Sequence, residues 1–376
     1  MKRGILLKKR DSYKSVLGIF LLIYISFILI VNIASTDKVF SESENRRLEQ
    51  VPKFSANQII DGRFTTNYEK YISDQFPLRD FWIGIKSTSE KILGKKENNG
   101  VYLGKDGYLL EKFEKPEEKD VKAKIDKINS FASNISNVDK YFMLVPNSVK
   151  VLEDKLPSYA PNGDESFYMA KVKDILDDDI KFIDVYNTLY SCRNEYIYYK
   201  TDHHWTTKGA YLAYKKFMKD LGINPHSEEY FSIKKVTDSF YGSLYSKSGI
   251  RNIKPDTIEL YTPKNDEGIK VEYIEEKETS DSLYNMESLD KKDKYTVFLG
   301  GNHPIIKIKT KFNDEKKLLI IKDSYANCFI PFLTGHFSEI YVVDPRYYDG
   351  DLNSLVEDKE IDNLLILCNV KTFFAK

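Results

Sequence analysis

The sequence predicts an α/β protein, a three-layer α/β/α arrangement with a parallel sheet covered on both faces, behind one membrane-spanning helix. Three observations lead there. Short, wholly apolar runs recur between residues 141 and 367 and alternate with helical patterns, as buried parallel strands and their crossovers do. Val16 to Ala34 carries no charge and approaches the ~20 residues a helix needs to cross a bilayer. The 376 residues, 41% of them hydrophobic, suffice for one large domain or two ordinary ones.

Before the apolar stretch stand Lys2, Arg3, Lys8, Lys9, Arg10 and Lys14; after it come Thr36-Asp37-Lys38, Glu42 and Glu44. That asymmetry puts the N-terminus in the cytoplasm and everything after about residue 36 outside. A cleaved signal peptide is the alternative. Its apolar region runs ~7–15 residues, and Asn32 or Ile33 stands where a small residue is wanted, so an uncleaved anchor is expected. Residues 37–60 read as an extended tether ending at Pro52. Phe64, Tyr68, Tyr71 and Ile72, then Phe81, Trp82, Ile85, Ile92 and Leu93, recur at helical spacing on either side of a break at Phe76-Pro77. Val101 to Leu110 reads as a hairpin turning at Asp106-Gly107. A helix follows from about Glu118, with Val121, Ile125, Ile128, Phe131 and Ile135 on one face.

Tyr141–Val145, Phe182–Val185, Leu318–Ile321, Ile340–Val343 and Leu364–Leu367 are the strand-like runs. Thr206 to Leu221 is a helix with Ala210, Ala213, Phe217 and Leu221 inward, stopped by Gly222. The chain is thus expected to divide into a cytoplasmic end and anchor (1–36), a helical and hairpin segment packing on the catalytic domain (37–115), and an α/β catalytic region (116–376) with a strand-rich insertion at about 223–312.

Lys plus Arg and Asp plus Glu balance at 57 each, which gives no basic excess for nucleic acid. Cys192, Cys328 and Cys368 are odd in number and lack metal-site spacing, and the five histidines form no H-x-x-x-H pair. The 27 tyrosines and 22 phenylalanines suit strands and sugar-lined sites, although most such residues are simply core or surface aromatics.

Two segments can carry chemistry. Tyr198 to Thr206 precedes a helix; in an extended chain Asp202 and His204 project together, with His203 opposite. A carboxylate bonded to an imidazole fixes its tautomer, as a hydrolase base requires. A helix cap with two surface imidazoles is the plain alternative. In Leu318 to Asn327 an apolar strand ends in a polar turn bearing Ser324, before an apolar helix containing Phe329, Ile330, Phe332 and Leu333. Nucleophilic serines sit at such junctions, but so do serines that only cap helices. The G-x-S-x-G elbow of α/β-hydrolases is absent.

The Asp202-His203-His204-Trp205 stretch resembles the defining motif of the DHHW family of bacterial extracytoplasmic proteins, itself similar to the alginate O-acetyltransferases. Ser43 to Leu48, Asp74 to Arg79, Asn99 to Gly107 and Lys322 to Tyr325 look like further family blocks in their usual order, spanning about 41 to 345. The shared D-x-H-W core falls on Asp202, His204 and Trp205, and the family's serine on Ser324. The resemblance implies an SGNH hydrolase-like fold, circularly permuted because the Asp-His pair precedes the serine. It implies acetyl transfer or ester hydrolysis without metal or cofactor: Ser324 attacks, His204 takes the proton and Asp202 orients His204.

By block order Asn369 is a candidate oxyanion donor and Arg346 a candidate pocket residue; each is otherwise an ordinary strand-end polar group. Tyr325, His203 and Trp205 are further candidates for lining the site, as is the Gly300-Gly301-Asn302 turn. The implied substrate is an exported or cell-surface polysaccharide. The implied partner is a membrane-bound O-acyltransferase that delivers acetyl groups across the cell membrane to an extracytoplasmic catalytic domain. Three other readings stay open: a carbohydrate acetylesterase, a non-catalytic polysaccharide-binding subunit, and a two-metal phosphoesterase of the DHH type. The last is disfavoured by a mid-chain motif in an exported protein.

Overall fold

The computed structural model describes residues 2–41, 43–44, 46–265, 268–313 and 315–375. The chain divides into two compact units, Met1–Leu93 and Gly94–Lys376.

In the first unit, α1 (Lys2–Ala34) contains Tyr13–Asn32, an unburied stretch of mean hydropathy 2.5 that is long and apolar enough to cross a membrane. Strands β1 (Phe40–Ser41) and β2 (Arg46–Arg47) pair antiparallel, and α2 (Ala56–Ile60), α3 (Arg63–Asp74) and α4 (Arg79–Ile92) follow. The α3–α4 break falls at the expected Phe76-Pro77, where Leu78 takes φ 56°. The expected tether is not free. Arg46 donates to the buried Asp74 carboxylate at 2.6 and 2.8 Å, and the Glu49 N–H adds a third bond at 2.9 Å. A buried carboxylate needs donors, and this segment supplies them. The Arg46 guanidinium holds the Asp74 carboxyl below the usual range. Two family-like blocks meet in this pair, although Glu42 and Asn45 lie outside the described residues.

In the second unit the strands are β3 (Glu97–Asn98), β4 (Val101–Leu103), β5 (Leu109–Glu111), β6 (Asp139–Val145), β7 (Ile180–Phe182), β8 (Phe231–Phe240), β9 (Asp256–Pro263), β10 (Lys270–Tyr273), β11 (Glu278–Ser280), β12 (Ile305–Lys309), β13 (Lys317–Lys322), β14 (Glu339–Val343) and β15 (Asn363–Asn369). The helices are α5 (Glu118–Ser133), α6 (Ser148–Val151), α7 (Glu165–Ile175), α8 (Tyr186–Ser191), α9 (Thr207–Asp220), α10 (Ser243–Ser248), α11 (Leu352–Lys359) and α12 (Val370–Phe374).

The eight-stranded main sheet runs β11-β10-β12-β14-β13-β15-β6-β7. Pairs from β14 through β7 are parallel, while β12, β10 and β11 are antiparallel. The wholly parallel sheet expected from the sequence is thus a mostly parallel one with an antiparallel edge. That edge comes from 223–312: buried Ile305, Ile306 and Ile308 of β12 extend the core, while β8 and β9 pair apart as a ribbon. The hairpin β4–β5 turns through Asp106 (φ 57°) and Gly107 (φ 78°), as its Asp-Gly pair suggests. It belongs to the second unit rather than to an N-terminal segment, because the Leu109 N–H donates to Lys200 O at 2.7 Å and Leu110 and Phe113 enter the same core.

Leu318 to Ile321 of β13 are all buried, so both faces of the central strand are covered. The carboxyl ends of β13, β15 and β6 lie side by side, the usual place for a ligand crevice on a parallel sheet.

Candidate active site

The first half of the site is the chain reversal before α9. Tyr198 and Trp205 form an antiparallel bridge and the Tyr199 N–H donates to His204 O at 3.2 Å. The segment therefore turns back instead of running extended. The buried Asp256 carboxylate at the start of β9 causes this. It accepts the N–H groups of Lys200 (2.8 Å) and Thr201 (2.7 Å), the Thr201 hydroxyl (2.5 Å) and the Tyr196 hydroxyl (2.5 Å). Burial pushes the Asp256 pKa up despite those donors.

The tight turn corrects the expectation that His203 faces away from Asp202 and His204. The two imidazole rings lie 3.9 Å apart, and His203 Nδ1 sits 3.7 Å from Asp202 Oδ1 and 2.6 Å from Ser243 Oγ. Burial and the neighbouring His204 push the His203 pKa down to about 4, although 35% of its side chain stays open to solvent, which blunts that push.

Asp202 is buried. Its Oδ1 meets His204 Nδ1 at 2.5 Å and the His204 N–H at 3.0 Å, and its Oδ2 accepts the Ser243 N–H at 2.7 Å. Burial opposes its charge, but the two imidazoles and these donors outweigh burial and hold the carboxyl well below the usual range. Gly242 lies directly against it: a Cβ there would stand 2.2 Å from Asp202 Cβ. The Gly242 N–H donates to Thr201 Oγ1 at 3.1 Å, tying the β8–α10 junction to the same turn.

The second half is the end of β13. Asp323 accepts the Tyr325 N–H at 2.9 Å and the Asn369 N–H at 2.8 Å, which fixes a 3-10 turn over Ser324–Cys328. The α-helix expected here is replaced by this turn and a second one, Ile330–Leu333, that contains Pro331. Proline offers no N–H to continue a helix. Ser324 Oγ lies 2.8 Å from His204 Nε2, so Asp202, His204 and Ser324 form one hydrogen-bonded line across 120 residues of sequence.

Buried aromatics lock the halves together. Trp205 Nε1–H donates to Tyr325 O at 2.9 Å, and the Tyr325 hydroxyl donates to His203 O. Tyr295, which the sequence did not single out, stacks on His204 at 3.8 Å with 9° between the planes, and its hydroxyl donates to Ser324 O at 3.1 Å. Gly242, Ser243, Asp256 and Tyr295 all come from 223–312. No local pattern marks them, because each acts through a residue distant in sequence.

The remaining candidates take other places. Both ends of the Asn369 amide are engaged: Nδ2 donates to Val145 O at 3.0 Å and Oδ1 accepts the Lys371 N–H at 3.0 Å. Asn369 thus ends β15 and caps α12. Arg346 grips Asp344 at 2.8 and 2.5 Å, and Asp344 also lies 3.3 Å from the fully buried Lys322 amine. Burial lowers the Lys322 pKa to about 8. Lys322 donates to Asn302 Oδ1 at 2.8 Å, and Asn327 Nδ2 donates to Gly301 O at 3.2 Å, so the glycine turn braces the serine turn.

Asp202, His203 and His204 also offer possible metal-ligand atoms within 4.8 Å of one another. Both Asp202 oxygens and both His204 nitrogens, however, already carry hydrogen bonds in a line that ends at Ser324. That arrangement suits the movement of a proton.

Fold and site together define an α/β protein with a Ser–His–Asp hydrogen-bonded line at the carboxyl edge of its central strands. The DHHW protein family profile matches residues 121–343, and the chain belongs to that family. A DHHW family protein from Eubacterium siraeum is 25% identical, with 74% of this chain and 94% of that chain covered and a TM-score of 0.64. Bacillus cereus PatB1 is 22% identical over 73% of this chain and 97% of its own, with a TM-score of 0.63. Its structure with a sulfonyl adduct gives 20%, 73%, 96% and 0.62. No curated protein matches the chain.

Proposed function

We infer that the chain is an extracytoplasmic O-acetyltransferase acting on a cell-surface or exported polysaccharide, anchored by α1 and working through Ser324, His204 and Asp202. The observation that carries this reading is the Asp202–His204–Ser324 line, with contacts of 2.5 and 2.8 Å. Family membership and the resemblance to alginate O-acetyltransferases support it. The order of the Asp-His turn before the serine strand supports a circularly permuted SGNH-like arrangement.

In the first half-reaction Ser324 Oγ attacks the acetyl carbonyl carbon while His204 Nε2 takes the hydroxyl proton. The tetrahedral adduct collapses, the donor's leaving group departs with the proton from His204, and acetyl-Ser324 remains. A sugar hydroxyl then attacks the ester carbon and gives its proton to His204; Ser324 Oγ leaves and takes that proton back. Asp202 holds the imidazole in the tautomer with Nδ1–H and stabilises the imidazolium in both steps. Stacking of Tyr295 on His204 fixes the ring plane. A membrane-bound acyltransferase partner fits a donor that must cross from the cytoplasm.

The test is mass spectrometry of protein quenched during turnover of a small activated acetyl ester. The Ser324 peptide should gain about 42 Da, the increment of an acetyl-enzyme, and lose that gain in His204→Ala. A sulfonyl fluoride should modify the same serine, in keeping with the sulfonyl adduct of PatB1. With an acceptor oligosaccharide present, label should appear on sugar; label released only to water would make the protein an acetylesterase, and no label on any serine would overturn the mechanism.

A further inference from the structure

Helix α4 exposes most of its apolar side chains. Its covered side carries buried Ser87 with half-buried Ile83, Gly84 and Glu90, whereas Leu78, Phe81 (57%), Trp82, Ile85, Ile92 and Leu93 (85%) are exposed. Residues 81, 82, 85 and 92 follow the spacing of a single helix face, with Leu78 at the N-cap beside it. A helix of a water-surrounded domain turns such a stripe to its core, and a contiguous exposed stripe marks an interaction surface.

The same unit shows what meets it. Asn32, at the carboxyl end of the candidate span, donates through Nδ2 to Gln75 O at 3.4 Å. The Lys38 N–H donates to Gln75 Oε1 at 2.9 Å, Gln75 Nε2 donates to Lys38 O at 2.9 Å, and the Tyr71 hydroxyl donates to the Asp37 carboxylate at 3.1 Å. The link into α4 is therefore fastened to the carboxyl end of the candidate span.

We propose that α4 lies in the interfacial layer of the membrane that α1 crosses, with the Leu78–Phe81–Trp82–Ile85–Ile92 stripe among the acyl chains of phospholipid. Exposed Lys86 and Lys91 flank the stripe at headgroup level, and Trp82 occupies the depth that tryptophan favours. The proposal rests on reading α1 as a retained anchor.

The chain supplies its own reporter: it has two tryptophans, and Trp205 is fully buried. Full-length protein in vesicles of phosphatidylcholine and phosphatidylglycerol should show Trp82 emission quenched by brominated phosphatidylcholine and shielded from aqueous iodide. Trp82→Phe should remove that quenching. Phe81→Ser combined with Ile85→Ser should weaken it while ester turnover is kept; unchanged quenching in that variant would overturn the proposal. So would strong iodide quenching without bromolipid quenching in protein that resists alkaline extraction, and this outcome would leave the anchor intact. Protection from both quenchers would mean that protein covers the stripe, which also overturns it. Release of the protein by alkaline extraction would remove the anchor and the proposal together.

Discussion

Asp202 in the turn before α9 and Asp256 at the start of β9 are both buried carboxylates, 3% and 2% exposed, joined through Thr201 and Gly242. Their environments drive them apart. Asp202 faces two imidazoles and its pKa is held low; Asp256 faces neutral hydroxyl and amide donors and its pKa is raised. Burial alone thus does not decide the protonation of a carboxylate; a nearby group able to carry positive charge does. One carboxylate sits against His204, while the other knits the backbone that carries it.

The sharpest break of that comparison is at the relay. Ser324→Ala and His204→Ala should each lower ester turnover by roughly four orders of magnitude or more, with far-ultraviolet circular dichroism unchanged. Asp202→Asn should cost about 10⁴-fold in kcat, because an amide favours the wrong tautomer. If Asp256→Asn costs as much in kcat at equal stability, the division of labour fails.

Gly242→Ala comes next. Its methyl group needs the space that Asp202 occupies, so the carboxylate must shift, and a displacement of about 1 Å costs on the order of 10²-fold in kcat. A KM left nearly unchanged would mark it as a positioning effect.

Asp256→Ala should appear first in stability. It strands buried N–H and hydroxyl donors at about 1–3 kcal/mol each, so thermal or urea unfolding should show a loss on the order of 3 kcal/mol or more. A variant of normal stability would mean that other contacts hold the turn.

The smallest effect concerns His203. Burial and His204 hold the His203 pKa in the folded protein below the value near 6.5 of the unfolded chain, towards about 4 at the limit of full burial. The unfolded state binds more protons in that window, so stability falls as pH drops from about 6.5 towards 4. In His203→Gln the melting temperature should fall less over the same range. An identical slope would assign the acid sensitivity elsewhere, with Asp202 the next candidate at still lower pH.

Much was legible in the sequence because it depends on neighbours along the chain. The apolar stretch in α1, the runs that became β6, β13, β14 and β15, the Asp106-Gly107 turn and the Thr206-capped α9 all follow from local hydrophobicity, backbone preference and capping. The Asp-x-His-Trp and Lys-Asp-Ser-Tyr blocks drew attention to Ser324 and His204 as candidates. Tertiary structure decided what those residues touch. The turn at 200–204 reverses because Asp256, far along the chain, supplies acceptors for its N–H groups, and this brings His203 beside His204 instead of opposite it. Tyr295 and Gly242 reach the site from a region with no motif, and Asn369 ties the end of β15 to Val145 of β6. Periodicity reports which way a side chain points within one element. Buried hydrogen bonds between distant elements decide where that element goes, and no local pattern records them.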